Sequence, residues 1–192
     1  MGHNRIGTVT GISGCGKDFL LGRTRQSGGL LDTLPIVSFG EELSRKLKRE
    51  AAMSVESGRD QLRSLPPETI SHYTGMLLDE MIDRQPLILN SHTVYVQGEN
   101  LVTNLASQQR LKCSHYLFVA GRPEDIANWR VSDTERQRPQ ETLGQIELHQ
   151  AIALGVVRAM AEVMDSRLLV VHNTSEDIDA NTQRIGDFLS SL

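Results

Sequence analysis

The chain has 192 residues, 39% hydrophobic and 23% charged, with a formal net charge of −4. That length suits one domain with a full core. The mild negative charge gives no electrostatic ground for a nucleic-acid or membrane partner, so any anionic ligand would need locally gathered arginine and lysine. Cys15 and Cys113 form no metal or disulfide pattern. They are expected as free thiols, as in a reducing cytoplasmic compartment. No apolar run is long enough to span a bilayer, and no signal peptide, internal repeat or low-complexity segment is visible.

The first predicted strand covers residues 5–10. It runs into Gly11-Ile12-Ser13-Gly14-Cys15-Gly16-Lys17-Asp18. This is the G-x-x-x-x-G-K pattern of a phosphate-binding P-loop, with Asp18 where Ser or Thr usually follows the lysine. Glycines let the backbone wrap so that successive N–H groups face phosphate oxygens, and Lys17 would reach the outer phosphates. The alternative is a glycine turn that only joins strand to helix. A preceding strand and a following helix, expected over residues 18–26, favour phosphate binding.

Further strands are predicted at residues 35–39, 86–90, 115–119 and 167–172, all of buried-strand length. Helical spacing of apolar residues predicts helices over residues 41–53, through Leu43, Leu47 and Ala51, and over residues 67–84, through Ile70, Tyr73, Leu77 and Met81. Weaker helical patterns cover residues 100–112 and 124–130. A long one covers 140–165, and a last helix covers 175–190 with Ser175 as N-cap. Alternating strands and helices imply a mostly parallel sheet covered by helices. Ligands in such folds sit beyond the carboxyl ends of the strands, which gathers Gly11, Asn90-Ser91-His92 and Asn173 around one cleft. A helical insert at about residues 40–63 and a polar, arginine-bearing segment at 131–139 are expected as covers outside the sheet layers.

Arg59 and Arg63 would share one helix face, and Arg130, Arg136 and Arg138 lie in or beside the polar cover. Arginine matches phosphate oxygens bidentately and stays charged. Phosphoryl transfer relies mostly on positioning and charge neutralisation, so dispersed arginines suit it. A salt-bridged surface, with Asp60, Asp133 and Glu135 as partners, is the other reading. Asn90 stands where P-loop enzymes often carry a carboxylate near the Mg²⁺ water shell, but Asn at a strand end also forms turns. His92 could orient phosphate or bond the loop. Glu147, His149 and Gln150 stay open between chemistry and packing, with only weak support for a His/Glu metal site. Trp129 could stack on a base or pack against the body.

Taken in order, these stretches resemble the archaeal-type adenylate kinases, a branch of the nucleoside monophosphate kinases. The resemblance runs nearly end to end, through Val9-Thr10-Gly11 and the P-loop, Val37-Ser38-Phe39-Gly40, Arg59-Asp60-Gln61-Leu62-Arg63, Asn90-Ser91-His92, Arg136-Gln137-Arg138 and Ile146-Glu147-Leu148-His149-Gln150. It implies an α/β P-loop NTPase three-layer fold, with a five-stranded parallel sheet flanked by helices. Residues 1–192 would form a single kinase domain, with an NMP-binding insert at 40–65 and a short lid at 131–140. It also implies transfer of the ATP γ-phosphate to AMP or a related nucleotide. Gly11, Ile12, Ser13, Gly14, Cys15, Gly16, Lys17, Asp18, Phe19 and Asn173 would hold ATP. Lys17, Arg130, Arg136 and Arg138 would serve the transferring phosphates. Phe39, Gly40, Arg59, Arg63, His92 and Gln150 would serve the acceptor, and a homo-trimer is implied.

Two positions depart from the family pattern. Asp18 replaces the hydroxyl residue after the lysine, and Asn90 replaces the usual Asp at the strand end. Together they read as a swap in which one carboxylate is lost across the cleft and one is gained on the P-loop. Asp18 would then hold Mg²⁺, directly or through water, as the metal that accompanies ATP. Gly-Lys-Asp P-loops also resemble those of phage deoxynucleoside monophosphate kinases and animal phosphomevalonate kinase, so a kinase on another small acceptor stays open. A nucleotide-binding regulator with little turnover is the rival from another class.

Overall fold

The computed structural model describes residues 4–28, 33–50, 66–97, 100–134 and 140–192. Five parallel strands form its centre: β1 (Asn4–Thr10), β2 (Ile36–Ser38), β3 (Leu87–Asn90), β6 (Cys113–Ala120) and β7 (Arg167–His172). Their order across the sheet is β2-β3-β1-β6-β7. The central strands β1 and β6 are buried along nearly their whole length, with Val9, Tyr116, Leu117, Phe118 and Val119 fully enclosed. Continuous apolar runs of this kind mark strands covered on both faces.

The helices are α1 (Lys17–Gln26), α2 (Phe39–Glu50), α3 (Pro67–Asp83), α4 (Leu105–Leu111), α5 (Pro123–Ser132), α6 (Leu143–Val163) and α7 (Ile178–Leu189). Leu20 of α1, Leu77 and Met81 of α3, Ile146 and Val157 of α6 and Ile185 of α7 are sealed in one hydrophobic core. The predicted α/β class and five-stranded parallel sheet are therefore observed. Leu43 and Leu47 place the described part of the expected 40–65 insert in that same core. Lys46, itself buried, ties α2 to α3 by bonding Glu80 at 2.5 Å and Glu50 at 3.0 Å. These carboxylates raise its pKa, led by Glu80. The rest of the insert, including Arg59 and Arg63, lies outside the described residues.

Several element boundaries differ from the sequence expectation. Residues 100–112 do not form one helix. Asn100–Thr103 is a strand, β5, paired antiparallel with β4 (Val94–Gln97), and helix begins only at Leu105. The β-branched Val94, Val96, Val102 and Thr103 favour the extended pairing over a helix. The last helix starts at Ile178 with Asp177 at its N-cap position, not at Ser175. Thr174 donates to the Asp177 carboxylate at 2.8 Å, making a turn of the residues that had read as helix. The long helix begins at Leu143, where Thr142 and Gln145 form a reciprocal capping box. Val131 and Ser132 close α5 and so are not part of an irregular cover.

Candidate phosphate-binding site

Strand register brings the site together. Val9 and Ser38 both align with Asn90, and Thr10 aligns with Phe118, so the carboxyl ends of β1, β2, β3 and β6 finish at one edge. Ala120 aligns with His172, which brings the end of β7 to the same edge. The glycine-rich loop leaves β1 here and turns into α1. Gly16 stands at the α1 N-cap in left-handed conformation, φ 83°. A side chain there would run into the Asn173 amide, so only glycine fits. Gly11, φ 150°, is equally constrained, since a Cβ would press on the Val119 carbonyl and the Cys15 sulfur.

Three side chains from three elements brace the loop by alternate carbonyls. His92, two residues past β3, bonds the Gly11 carbonyl at 2.8 Å through Nδ1. Arg130 of α5 donates its Nε–H to the Ser13 carbonyl at 2.9 Å. Asn173, just beyond β7, donates its amide to the Cys15 carbonyl at 3.1 Å. A carbonyl only accepts, so His92 carries its proton on Nδ1 in this contact. The loop so braced stands at the N-terminus of α1, whose dipole favours negative charge.

Lys17 is nearly buried, with its ammonium 3.3 Å from the Gly11 carbonyl and 3.4 Å from that of Ile12. It lies 3.5 Å from His92 Nδ1. That nitrogen is already a donor to Gly11, so this contact is proximity of charge to a dipole. Asp18, in the first turn of α1, is exposed and accepts a hydrogen bond from the Asn90 amide. Phe19 is half exposed beside it. Gly11, Lys17, Asp18, Asn90, His92 and Asn173 thus lie together around the loop.

A cavity of about 370 Å³ opens beside Asp18 and Asn90, between α1, the end of β2 and the start of α2. Ser38, Glu41, Glu42 and Arg45 contribute to its walls. Phe39 opens α2 and packs partly on the core, and Gly40 accepts a bond from Ser44 at 2.9 Å. Arg136 and Arg138, with the rest of residues 135–139, lie outside the described residues.

The stretch Glu147–Gln150, left open by the sequence, resolves into three separate roles. Glu147 is exposed. Gln150 gives both ends of its amide to Gly121, accepting from its N–H and donating to its carbonyl, each at 2.9 Å, which fixes the turn after β6. His149 is buried against Glu141, with Nδ1 at 3.2 Å from the carboxylate. Glu141 also receives Arg130 at 2.8 Å. Sequence reading missed Glu141, because nothing in local spacing marks a residue before a helix as the acceptor for two others. Trp129 packs near Gly121 with about a third of its surface exposed.

Among the described residues no three His, Cys, Asp or Glu side chains gather as a metal site. Asp18 supplies one carboxylate at the mouth of the loop. One carboxylate plus nucleotide phosphates and water is a donor set that suits Mg²⁺ and not a dedicated protein cage. Cys15 and Cys113 are both free and buried. Burial pushes the Cys113 thiol up to about 11, so it is no nucleophile at neutral pH. No described helix is long and apolar enough to cross a membrane.

Comparison with known proteins agrees with this geometry. An adenylate kinase from Methanothermobacter thermautotrophicus is 25% identical over 181 residues, covering 92% of this chain and 94% of that protein. One from Methanococcus vannielii is 25% identical over 190 residues, covering 91% and 96%. One from Pyrococcus horikoshii is 27% identical over 171 residues, covering 84% and 82%. The resemblance to archaeal adenylate kinases is thus borne out across most of the chain. Among solved structures, a shikimate kinase from Acinetobacter baumannii superposes with TM-score 0.57 at 16% identity, covering 97% of this chain and 93% of that one. A shikimate kinase from Bacteroides thetaiotaomicron gives 0.56 at 14% identity, covering 96% and 98%. At such identities these structures speak for a shared fold. A family model described as AAA domain matches residues 10–147, from the last residue of β1 into α6, and the chain belongs to that family.

Proposed function

We propose that this protein is an ATP-dependent nucleoside monophosphate kinase that transfers the γ-phosphate to AMP or a related (deoxy)nucleotide. The observation that carries the reading is the glycine loop, braced by His92, Arg130 and Asn173, with Lys17 and Asp18 at its helical end. Similarity to archaeal adenylate kinases along most of the chain supports the nucleotide acceptor.

In this reading the loop amides of residues 11–17 hold the β- and γ-phosphates of ATP, and the Lys17 ammonium moves from loop carbonyls to phosphate oxygens. Asp18 would hold Mg²⁺, which would supply neutralisation of the phosphate charge. An oxygen of the acceptor phosphate attacks the γ-phosphorus, the bond to the β,γ-bridging oxygen breaks, and ADP leaves with that electron pair. The attacking oxygen is already anionic, so no general base is assigned. Positioning and charge neutralisation carry the rate. Arg130, Arg136 and Arg138 are proposed for the transferring group, and Phe39, Gly40, Arg59, Arg63 and His92 for the acceptor, whereas Gln150, with both amide ends on Gly121, holds the turn after β6.

The walls of the cavity beside Asp18 favour one second reading. Glu41 and Glu42 line it on the side assigned to the acceptor, beside Arg25 and Arg45, and Glu42 is paired with Arg45 at 2.8 Å. A small acceptor that presents hydroxyl groups beside an anion also suits walls of this mixed charge. A coupled assay with ATP, Mg²⁺ and a panel of nucleoside monophosphates, deoxynucleoside monophosphates and small alcohols separates the two. Turnover with AMP or another nucleotide is expected. Turnover confined to a non-nucleotide would replace the first reading with the second, and ATP binding without transfer to any acceptor would sink both.

A further inference from the structure

Beyond the loop, a buried polar chain runs from α6 to the phosphate site. His149, on the inner face of α6, meets the Glu141 carboxylate through Nδ1 at 3.2 and 3.5 Å. Glu141 accepts from Arg130 NH1 at 2.8 Å, and Arg130 Nε donates to the Ser13 carbonyl at 2.9 Å. The Arg130, Glu141 and His149 side chains are 5%, 10% and 2% exposed. The stem of Arg130 lies against Gly14, where a Cβ would come within 2.8 Å of its Cγ. Charged groups taken this far from water hold their place only by mutual bonding.

We propose that Glu141 and His149 are positioning residues, which act through Arg130 to fix the shape of the phosphate-binding loop. A guanidinium is planar, so a carboxylate on NH1 sets the direction of its Nε–H. Glu141 therefore aims the Nε–H of Arg130 at Ser13. A carboxylate can only accept, so His149 faces it with Nδ1–H and holds Glu141 in that rotamer. The His149 Nε2 is buried with no hydrogen-bond partner among the described residues, and a ring nitrogen left dry is poorly explained as a stability device. The ring is held for what its other nitrogen does. Neither residue touches substrate in this account. The inference rests on the reading of the loop as a nucleotide phosphate site, and not on which acceptor is used.

The test is a double-mutant cycle read as ATP affinity by calorimetry, with kcat and KM for transfer and thermal unfolding measured beside it. Glu141→Gln keeps an acceptor for one neighbour but must set an N–H against the other. It is expected to weaken ATP binding or kcat about 10-fold or more, the scale of a hydrogen bond to a charged group. In an Arg130→Ala background the same change should cost less than about twofold, because its route to the loop is gone. His149→Asn places an amide N–H near the position of Nδ1–H and should retain function, whereas His149→Ala should lose it in step with Glu141→Gln. Effects of Glu141 and Arg130 that multiply independently, or equal loss in His149→Asn and His149→Ala, would overturn the proposal. If Glu141→Gln does not fold, the His149 pair decides. ATP binding with no transfer in the wild type would refute the kinase reading while the affinity cycle still judges this one. No ATP binding at all would refute both.

Discussion

The Asn90 amide donates to the Asp18 carboxylate, linking the end of β3 to the first turn of α1 across the mouth of the phosphate loop. An aspartate in place of Asn90 would set two carboxylates at hydrogen-bond distance. One would then have to take up a proton or turn away. The two residues that read in the sequence as departures from the resembling family's pattern are therefore in direct contact.

Asp18→Ala should lower Mg²⁺-dependent transfer by roughly a hundredfold, through loss of the carboxylate proposed to hold the ion. Asn90→Asp alone should also impair transfer, through like-charge repulsion. Joining Asp18→Thr to Asn90→Asp should recover part of the loss by moving the carboxylate across the cleft. Magnesium titrations of the four proteins check this. Unchanged Mg²⁺ dependence in Asp18→Ala would end the swap idea.

Lys17→Met keeps the volume of a nearly buried stem and removes the charge. The fold should persist, because an unbranched apolar side chain fits the same channel. Transfer should fall roughly 100-fold or more, the range seen when one donor to a developing negative charge is lost. Circular dichroism beside kinetics separates the two effects.

Gly11→Ala forces a Cβ onto the Val119 carbonyl at a left-handed backbone position. The expected cost is about 1–3 kcal/mol of stability, together with loss of ATP binding as the loop shifts. Gly155→Ala, at an exposed helix position where a Cβ meets nothing within 4 Å, is the control and should be tolerated.

Burial holds the Cys113 thiol up at about 11 against an ordinary value of 9.0. The folded protein thus keeps this proton where the unfolded chain gives it up. The stability it lends is complete below pH 9.0 and is lost as pH rises toward about 11. Unfolding midpoints measured across that window should fall less steeply in Cys113→Ala than in the wild type.

What the sequence revealed, and what it hid, follows from range. The P-loop was legible because Gly11, Gly14, Gly16 and Lys17 lie within one turn of chain and carry their geometry locally. The five strands were legible as short apolar runs between helical patterns. The hairpin of β4 and β5 was not, since its strands are short and its pairing partner, not its own periodicity, makes Leu101 and Val102 extended. The division of labour in Glu147–Gln150 was hidden for the same reason. His149 takes its meaning from Glu141, and Gln150 from Gly121, and both are contacts of the finished fold.

The braces on Gly11, Ser13 and Cys15 come from beyond β3, from α5 and from beyond β7. The cradle is thus a product of long-range assembly, though its motif is local in sequence. A peptide with the loop residues alone has no cause to hold that shape. In folding, the loop should be among the last parts to settle, after the sheet has brought its edges together, and it should gain amide exchange protection late and as a unit. Damage far away in the chain, at Asn173 or His92, would then register first as weakened nucleotide binding and only afterwards as weakened structure.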